Sequence, residues 1–122
     1  MNPSDVVDLV WQLEDEVNNG GFHQFFNNSS GDSTRETIDA LEEIGAKVFS
    51  DILRRAASMF PGSMPPKDRG ERLGVLWSKF PRTDEFRDLD TEFLAYPEDL
   101  SSLIDAYKRQ FPKVAFRARE EI

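Results

Sequence analysis

Two sets of acidic residues are spaced so that their carboxylates would line up along a helix. Both sets repeat at intervals of three and then four residues; the first acidic row is Glu36, Asp39 and Glu43, and the second is Glu85, Asp88 and Glu92. At a rise of about 1.5 Å per residue, neighbouring carboxylates in a row stand roughly 4.5–6 Å apart. A DNA strand advances about 3.4 Å per phosphate, and two rigid rows could present fixed negative charge to a surface of Arg and Lys side chains. Solvated helix faces show the same pattern, so the spacing alone does not establish a binding site.

Residues that could support catalysis are few. His23 is the only histidine, and the chain has no cysteine, so a catalytic triad or a histidine-ligated metal would have to include His23. We expect its side chain to be partly exposed, on the polar side of a short helix and next to a turn. Paired carboxylates such as Glu42 and Glu43 act as general acid and base only when burial raises one pKa, and nothing in the pattern indicates such burial. We therefore predict that the protein is not an enzyme.

Neither a metal site nor a cofactor site is predicted. Asp88, Asp90 and Glu92 resemble the start of a calcium-binding loop, but the central glycine and final glutamate of that loop are missing. Gly20 and Gly21 neither follow a strand nor continue into a phosphate-binding motif. The lack of cysteine excludes thiolate metal sites and disulfides.

The charge of the chain favours a protein partner with a basic surface. The net charge is −8, and residues 84–105 hold eight acidic residues and one basic residue. Binding to phosphates needs a basic surface, so we expect no direct contact with nucleic acid. The basic segments 61–83 and 106–122 could fold against the acidic rows and neutralise them in part. The sequence is compatible with a monomer or a homodimer.

Length and composition predict a single cytoplasmic domain that spans residues 1–122. A chain of 122 residues is long enough for one core. No apolar run approaches the roughly 18 residues that a membrane span requires, and the N-terminus has no basic region followed by an apolar one. The absence of cysteine suits a reducing compartment, and no membrane partner is expected.

A short aromatic helix is predicted at the centre of the domain. Gly20 and Gly21 allow the first helix, which begins near Ser4, to stop and the chain to turn. The phenylalanines that follow share one helical face, and they are Phe22, Phe25 and Phe26. Amide side chains around this corner line a small polar pocket or bond backbone groups that the turn frees; they are Asn19, Gln24, Asn27 and Asn28. We expect the other helices to pack around this segment.

Helix-start signals place each acidic row on a helix of its own. Ser33 and Glu36 have the spacing of a capping box, which predicts a helix carrying the first acidic row. Gly45 then breaks or bends the chain. Thr83 is expected to cap a helix that carries the second acidic row on its outer face.

The rest of the chain also has helical periodicity. Residues 48–60 and 73–80 predict amphipathic helices on either side of a charged, proline-rich loop, 61–72. A last helix is expected over 97–111, and 113–122 is helix end or coil. Since no window alternates as a strand does, the fold class is all-α, with about six or seven helices around the aromatic helix.

The glycine corner also carries a family resemblance. Residues 19–28 have the form Asn-Gly-Gly-Phe-x-Gln-Phe-Phe-x-Asn, and residues 40–46 have the form Ala-Leu-x-x-Ile-Gly-Ala. Together they resemble the DMP19-like domain family, and weaker similarity extends the resemblance from about Asp8 to Phe116. It implies an α-helical fold and a possible DNA-mimic role, since the founding member is an acidic bacterial protein that occupies the DNA-binding face of a regulator.

Two functions follow as hypotheses. In the first, both acidic rows bind the basic, DNA-facing surface of a regulator or another nucleic-acid-binding protein, and binding weakens steeply with salt. In the second, the domain is an immunity or inhibitor-type protein that does not mimic DNA. That protein would use the loop 61–72 or an exposed aromatic residue such as Trp77, and its binding would depend weakly on salt.

Overall fold

Six α-helices and three short 3₁₀ turns form the computed structural model, which describes residues 1–121. The helices are α1 (Pro3–Asn27), α2 (Thr34–Glu43), α3 (Lys47–Ser58), α4 (Arg69–Lys79), α5 (Arg87–Leu94) and α6 (Leu100–Arg109). The 3₁₀ turns are Ser29–Ser33, Pro61–Ser63 and Arg119–Glu121. Residues 1–121 contain no strand, so the all-α prediction is confirmed. No helix in this range combines the length and the apolar character needed to cross a membrane.

The double glycine divides α1 into two segments, 3–19 and 22–27. Gly21 has φ 72° and ψ −173°, a conformation that a residue with a Cβ adopts only at a cost. An added Cβ there would also lie 2.4 Å from an Asp90 carboxylate oxygen. The Phe22 backbone N–H donates to Asp90 Oδ1 at 2.8 Å. We call Gly20, Gly21, Phe22 and Asp90 the corner; its turn between two helices was predicted and is confirmed, whereas Asp90 was not expected to take part.

The second segment of α1 forms the aromatic centre of the core. Phe22, Phe25 and Phe26 are fully buried. The ring of Phe22 meets that of Phe93 edge-on at 5.8 Å, and the rings of Phe26 and Phe60 are 4.9 Å apart. Edge-to-face contacts of this kind add to the stabilisation that burial provides. Because α1 packs against α2, α4 and α5, the prediction that the other helices surround this segment is confirmed.

Gly45 breaks the chain between α2 and α3. It has φ 84°, and its N–H donates to the Glu42 carbonyl at 3.0 Å while the Ala46 N–H donates to the Leu41 carbonyl at 2.8 Å. These two bonds form a Schellman motif, which satisfies carbonyls at the end of α2. The alternative of a single bent helix is therefore wrong.

The predicted capping box at the start of α2 is not formed. Ser33 makes no side-chain cap hydrogen bond and has φ −107° and ψ 30°, because a 3₁₀ turn leads directly into the helix and denies Ser33 the extended geometry of a cap. Glu36 instead accepts a hydrogen bond from Lys67 Nζ at 2.9 Å.

Arg72, expected in an irregular charged loop, lies in α4 and is fully buried. Its Nε donates to the Phe26 carbonyl at 2.7 Å. One terminal nitrogen donates to the Asn28 carbonyl at 2.9 Å and to Asp32 Oδ1 at 2.7 Å. The other donates to the carbonyls of residues 66–67, each at 3.0 Å. Arg72 thus satisfies the carbonyls that the end of α1 leaves free and ties them to the proline-rich loop.

The helix that Thr83 was predicted to cap starts three residues later than expected, at Arg87 instead of Asp84. Residues 83–86 form turns, and α5 begins at Arg87. The Asp84 carboxylate lies 2.9 Å from Arg82 and 2.8 Å from Arg87, and these ion pairs hold the turn ahead of the helix. The consequence for the second acidic row is that its first residue does not lie on α5.

Glu98 caps a helix that is distant in sequence. The backbone N–H groups of Val48 and Phe49, in the first turn of α3, donate to Glu98 Oε1 at 3.0 and 3.1 Å. The last helix therefore starts at Leu100 and not at Pro97, with Asp99 as its own cap at 3.0 Å from the Ser102 N–H.

Candidate functional site

The first acidic row lies on α2, but two of its three carboxylates have partners within the chain. Lys67 Nζ lies 2.9 Å from the Glu36 carboxylate, and this hydrogen bond lowers the pKa of Glu36. Glu43 accepts a hydrogen bond from the Tyr107 hydroxyl. Burial, followed by the Glu43 charge, raises the pKa of Tyr107. Asp39 is exposed and forms no salt bridge within residues 1–121.

The second acidic row is not a row in the structure. Asp88 and Glu92 lie on α5, whereas Glu85 lies in the turn before it. Arg55 donates to both oxygens of Glu92, at 2.9 and 2.6 Å, and this pairing lowers the pKa of Glu92. The expected 3,4 spacing fails at Glu85 because residues 83–86 form turns and α5 begins only at Arg87.

Cations of α3 separate the two rows. α3 packs against both α2 and α5. Arg54 reaches across to Glu42 of α2 at 3.2 Å, and Arg55 reaches Glu92 of α5 at 2.6 Å. The six predicted residues therefore do not form one uninterrupted acidic surface.

Glu85 and Asp88 come together at the rim of a cleft that was not predicted. This acidic cleft has a volume of about 280 Å³ and is lined by Met59, Asp84, Glu85, Phe86, Arg87, Asp88 and Leu89. Met59 is 38% exposed and forms an apolar part of the wall. Glu85 and Asp88 are exposed and form no salt bridge within the described residues.

Asp84 also lines the cleft, but its carboxylate is paired, unlike those of Glu85 and Asp88. Its carboxylate pairs with Arg82 and Arg87, and the hydrogen bond from Arg82 lowers its pKa. The available charge is therefore that of Glu85 and Asp88. With apolar atoms beside two free carboxylates, the cleft suits a Lys or Arg side chain, which has an apolar stem and a cationic end. Met59 gave no signal of a binding role in the sequence, since it lies within the amphipathic helix predicted over residues 48–60.

A further set of acidic residues, on α1, is covered by the end of the chain. Residues 112–118 have no regular structure and lead to the last 3₁₀ turn, and Ile122 lies outside the described residues. Arg117 pairs with Asp5 and Asp8, and Arg119 pairs with Glu14 and Asp15. The expectation that basic segments neutralise the acidic rows is met only by Lys67 at Glu36; the basic residues Arg117 and Arg119 lie against α1 instead.

The amide side chains of the corner bond mainly to other side chains. Glu16 Oε2 accepts from Gln24 Nε2 at 2.8 Å and from Asn28 Nδ2 at 3.0 Å. Asn19 Nδ2 donates to Gln24 Oε1 at 3.0 Å. The expected bonds from these side chains to freed backbone groups are thus replaced by a network around the Glu16 carboxylate.

A pocket does lie beside this network. It has a volume of about 380 Å³ and is lined by Gly20, His23, Gln24, Asn27, Trp77 and Thr83. Trp77 is 47% exposed, and its Nε1 donates to Asn27 Oδ1 at 2.9 Å. Trp77 was expected to be an exposed aromatic residue, and the structure agrees with that expectation. The position is outward because Arg72 and Leu76 are the buried residues of this helix.

His23 is buried, with 2% exposure, and the prediction of a partly exposed side chain is wrong. The ring of Trp77 covers it at 4.7 Å and that of Phe86 at 6.4 Å. Nε2 lies 2.9 Å from the Phe80 carbonyl oxygen, and because a carbonyl can only accept, Nε2 donates and is not free to act as a base. That the protein is not an enzyme stays a prediction.

Potential metal ligands do not cluster in the described part of the chain. Within residues 1–121, no three His, Asp or Glu side chains come together as a group that could hold a metal ion. Asp90, part of the calcium-loop resemblance, is engaged at the corner by the Phe22 N–H.

Comparison with known proteins yields one match. The family model described as DMP19-like protein matches residues 2–111 of the 122-residue chain. No curated protein and no solved structure matches the chain. The matched range includes all six helices and both acidic rows, and it ends before Arg117 and Arg119.

Proposed function

Because the chain belongs to the DMP19-like protein family, we propose that it is an acidic interaction domain. It binds the basic, DNA-binding surface of a regulator or of another nucleic-acid-binding protein, in place of DNA. The net charge of −8 supports this proposal, because a negatively charged domain is drawn toward a basic surface and not toward a nucleic acid.

The acidic cleft is the observation that carries the proposal. Glu85 and Asp88 are exposed and form no salt bridge in the described part of the chain. A Lys or Arg side chain that entered the cleft would place its methylene groups against Met59 and its charge beside these two carboxylates. No existing ion pair has to be broken for this contact to form.

The other predicted residues contribute differently. Asp39 is exposed and supplies charge outside the cleft. A cation that approached Glu36 or Glu92 would have to displace Lys67 or Arg55, and Glu43 already accepts from Tyr107. We therefore assign the main contact to Glu85 and Asp88, and a supporting role to Asp39.

The test is a capture experiment with matched variants. The tagged protein is incubated with a lysate of the organism that encodes it, bound proteins are eluted with a salt gradient, and a captured DNA-binding protein is purified and titrated. We expect the Glu85→Gln, Asp88→Asn double variant to lose this protein. The control is Glu71→Gln, Asp105→Asn, which removes the same charge from two exposed positions outside the cleft and should retain it.

Competition with duplex DNA distinguishes mimicry from other binding. A partner that is released by duplex DNA and by moderate salt supports the proposal. Equal binding by the Glu85→Gln, Asp88→Asn variant would refute the assignment to the cleft, and a partner that ignores DNA would refute mimicry.

A second candidate function is that of an inhibitor or immunity-type protein, and the exposure of Trp77 favours it. An aromatic side chain that is 47% exposed at the edge of a pocket is a common anchor in protein interfaces. This function predicts that Trp77→Ala loses the partner while Leu94→Ala, at another exposed hydrophobic residue, retains it. Retention of the partner by Trp77→Ala would exclude the second function at this site.

A further inference from the structure

The C-terminal tail, residues 112–120, lies along the acidic face of α1. Arg117 Nε donates to Asp8 Oδ2 at 2.6 Å, and a terminal nitrogen of Arg117 lies 3.3 Å from Asp5 Oδ1. Arg119 lies 3.0 Å from Glu14 Oε1 and 2.5 Å from Asp15 Oδ1. The tail therefore sets two arginines, separated by one residue, against two pairs of carboxylates.

Aromatic and cationic groups hold the tail beside α1. Lys108 Nζ, from α6, lies 5.1 Å from the centre of the Trp11 ring and 5.4 Å from the centre of the Phe116 ring. The Arg119 guanidinium lies 5.8 Å from the Trp11 ring centre. Contacts between cations and ring faces are attractive, so Trp11 contributes to the same binding face as the carboxylates.

The carboxylates of this face are arranged for arginine. The side chains of Asp8 and Glu14 are only 16% and 15% exposed, whereas those of Arg117 and Arg119 are 49% and 41% exposed. With the tail in place, its two arginines are thus more exposed than these two carboxylates. Exposed ion pairs are individually weak, so the tail can exchange with a competing segment once the partly buried Phe116 is released from the core.

We propose that the tail is an autoinhibitory strap. The face of α1 formed by Asp5, Asp8, Trp11, Glu14 and Asp15 binds an extended Arg-x-Arg segment of a protein partner, and the chain's own tail occupies this face until such a segment displaces it. The inference goes beyond the proposed function, because it concerns a surface other than the acidic cleft. The family match ends at residue 111, so the matched range does not include the tail.

A peptide in trans tests the strap without any knowledge of the partner. The probe is a fluorescently labelled peptide with the sequence of residues 112–120, titrated into the full-length protein and into the full-length Arg117→Ala, Arg119→Ala variant. A tethered segment acts at an effective concentration on the order of millimolar, so the tail should compete strongly in the unmodified protein. We expect the variant to bind the peptide at least about tenfold more tightly.

Three controls localise the effect. In the Arg117→Ala, Arg119→Ala background, Asp8→Asn with Glu14→Gln should abolish peptide binding, whereas Glu85→Gln with Asp88→Asn should not change it. A peptide with alanine in place of both arginines should not bind. Thermal unfolding verifies that each variant is folded.

Two results would overturn the inference. Equal affinity of the unmodified protein and the Arg117→Ala, Arg119→Ala variant for the peptide would show that the tail does not compete. Absence of binding by that variant at millimolar peptide would show that the face does not bind an Arg-x-Arg segment. Neither result depends on the acidic cleft, so this inference and the proposed function can fail separately.

Discussion

The corner and the acidic cleft use carboxylates from one short stretch of chain in opposite ways. At the corner, Asp90 turns inward, accepts the Phe22 N–H at 2.8 Å and closes on Gly21. At the cleft, Glu85 and Asp88 face solvent without a salt bridge in the described residues. Asp88 and Asp90 differ in direction because two residues correspond to a rotation of about 200° around a helix.

This contrast shows why the number of acidic residues does not measure the charge that a partner meets. Lys67 holds Glu36, Arg55 holds Glu92, and the tail arginines cover the acids of α1. Within a chain of net charge −8, tertiary pairing decides which carboxylates stay available. Gly20, Gly21 and Phe22 of the corner belong to the residues that resemble the family, and the polar groups of the corner stabilise the fold. The carboxylates of Glu85 and Asp88, which form no salt bridge in the described residues, lie outside the corner.

The largest effect is expected when the buried polar contacts at the C-terminal end of α1 are broken. Arg72→Met removes five hydrogen bonds of a fully buried guanidinium and should lower the free energy of unfolding by about 3–5 kcal/mol. Urea titration measures the loss. The control Arg35→Met, at an exposed position, should change it by less than about 0.5 kcal/mol. A loss for Arg72→Met no larger than that of the control would refute the structural role.

The second largest loss of stability is expected from substitution of Gly21 at the corner. Gly21→Ala places a methyl group 2.4 Å from an Asp90 oxygen at φ 72°, and should cost about 1–3 kcal/mol. Gly74 lies within α4 with open space around it, so Gly74→Ala should gain about 0.4–1 kcal/mol. Thermal melts of the two variants provide the comparison, and a stable Gly21→Ala variant would mean that Asp90 does not hold the corner.

Asp90 should make the stability of the corner depend on pH. Burial raises the pKa of Asp90, although the Phe22 N–H opposes the shift. The folded state therefore keeps the proton to a higher pH than the unfolded state, whose pKa is about 3.9. Stability consequently falls as the pH rises from the unfolded value through the folded one.

Asp90→Asn removes this titration and keeps an oxygen for the Phe22 N–H. At pH 7 the variant should be as stable as the unmodified protein or more stable by up to about 1 kcal/mol. The difference should narrow as the pH falls toward the pKa of the unfolded state. Urea titrations of both proteins between pH 3 and 7 measure the difference in the free energy of unfolding. A difference that grows toward low pH would contradict the predicted direction of the pKa shift of Asp90.

The smallest effect on stability is expected at the cleft. Glu85→Gln with Asp88→Asn alters only exposed side chains without ion pairs in the described residues, and should change the free energy of unfolding by less than about 0.5 kcal/mol. The same variant should lose the partner, so its urea titration and its binding are measured together. A large loss of stability would mean that Glu85 and Asp88, like Asp90, help to stabilise the fold.

The sequence predicted the features that depend on residues close together along the chain. Gly20 and Gly21 stop a helix by conformation, and Phe22, Phe25 and Phe26 share a face by spacing, so the corner and the aromatic segment followed from the sequence. The burial of His23 did not, because it depends on how Trp77 of α4 lies against α1.

Contacts between distant residues also decided the candidate site. Glu85 does not lie on α5 because the turns of residues 83–86 precede the helix, and helical periodicity does not show where a helix begins. Arg72 gave one usable signal: it lies one turn before the buried Leu76. Because the sequence does not show which carbonyl groups Arg72 bonds to, its charged neighbours indicated a loop at this position.

The cap that Glu98 places on α3 couples two parts of the chain that are 50 residues apart. The first amide protons of α3 are sheltered only while the segment before α6 stays docked, since Ala46 offers no side-chain cap. Hydrogen exchange at Val48 and Phe49 therefore reports the opening of a loop elsewhere in the chain. In folding, the start of α3 becomes stable late, after a long loop has closed.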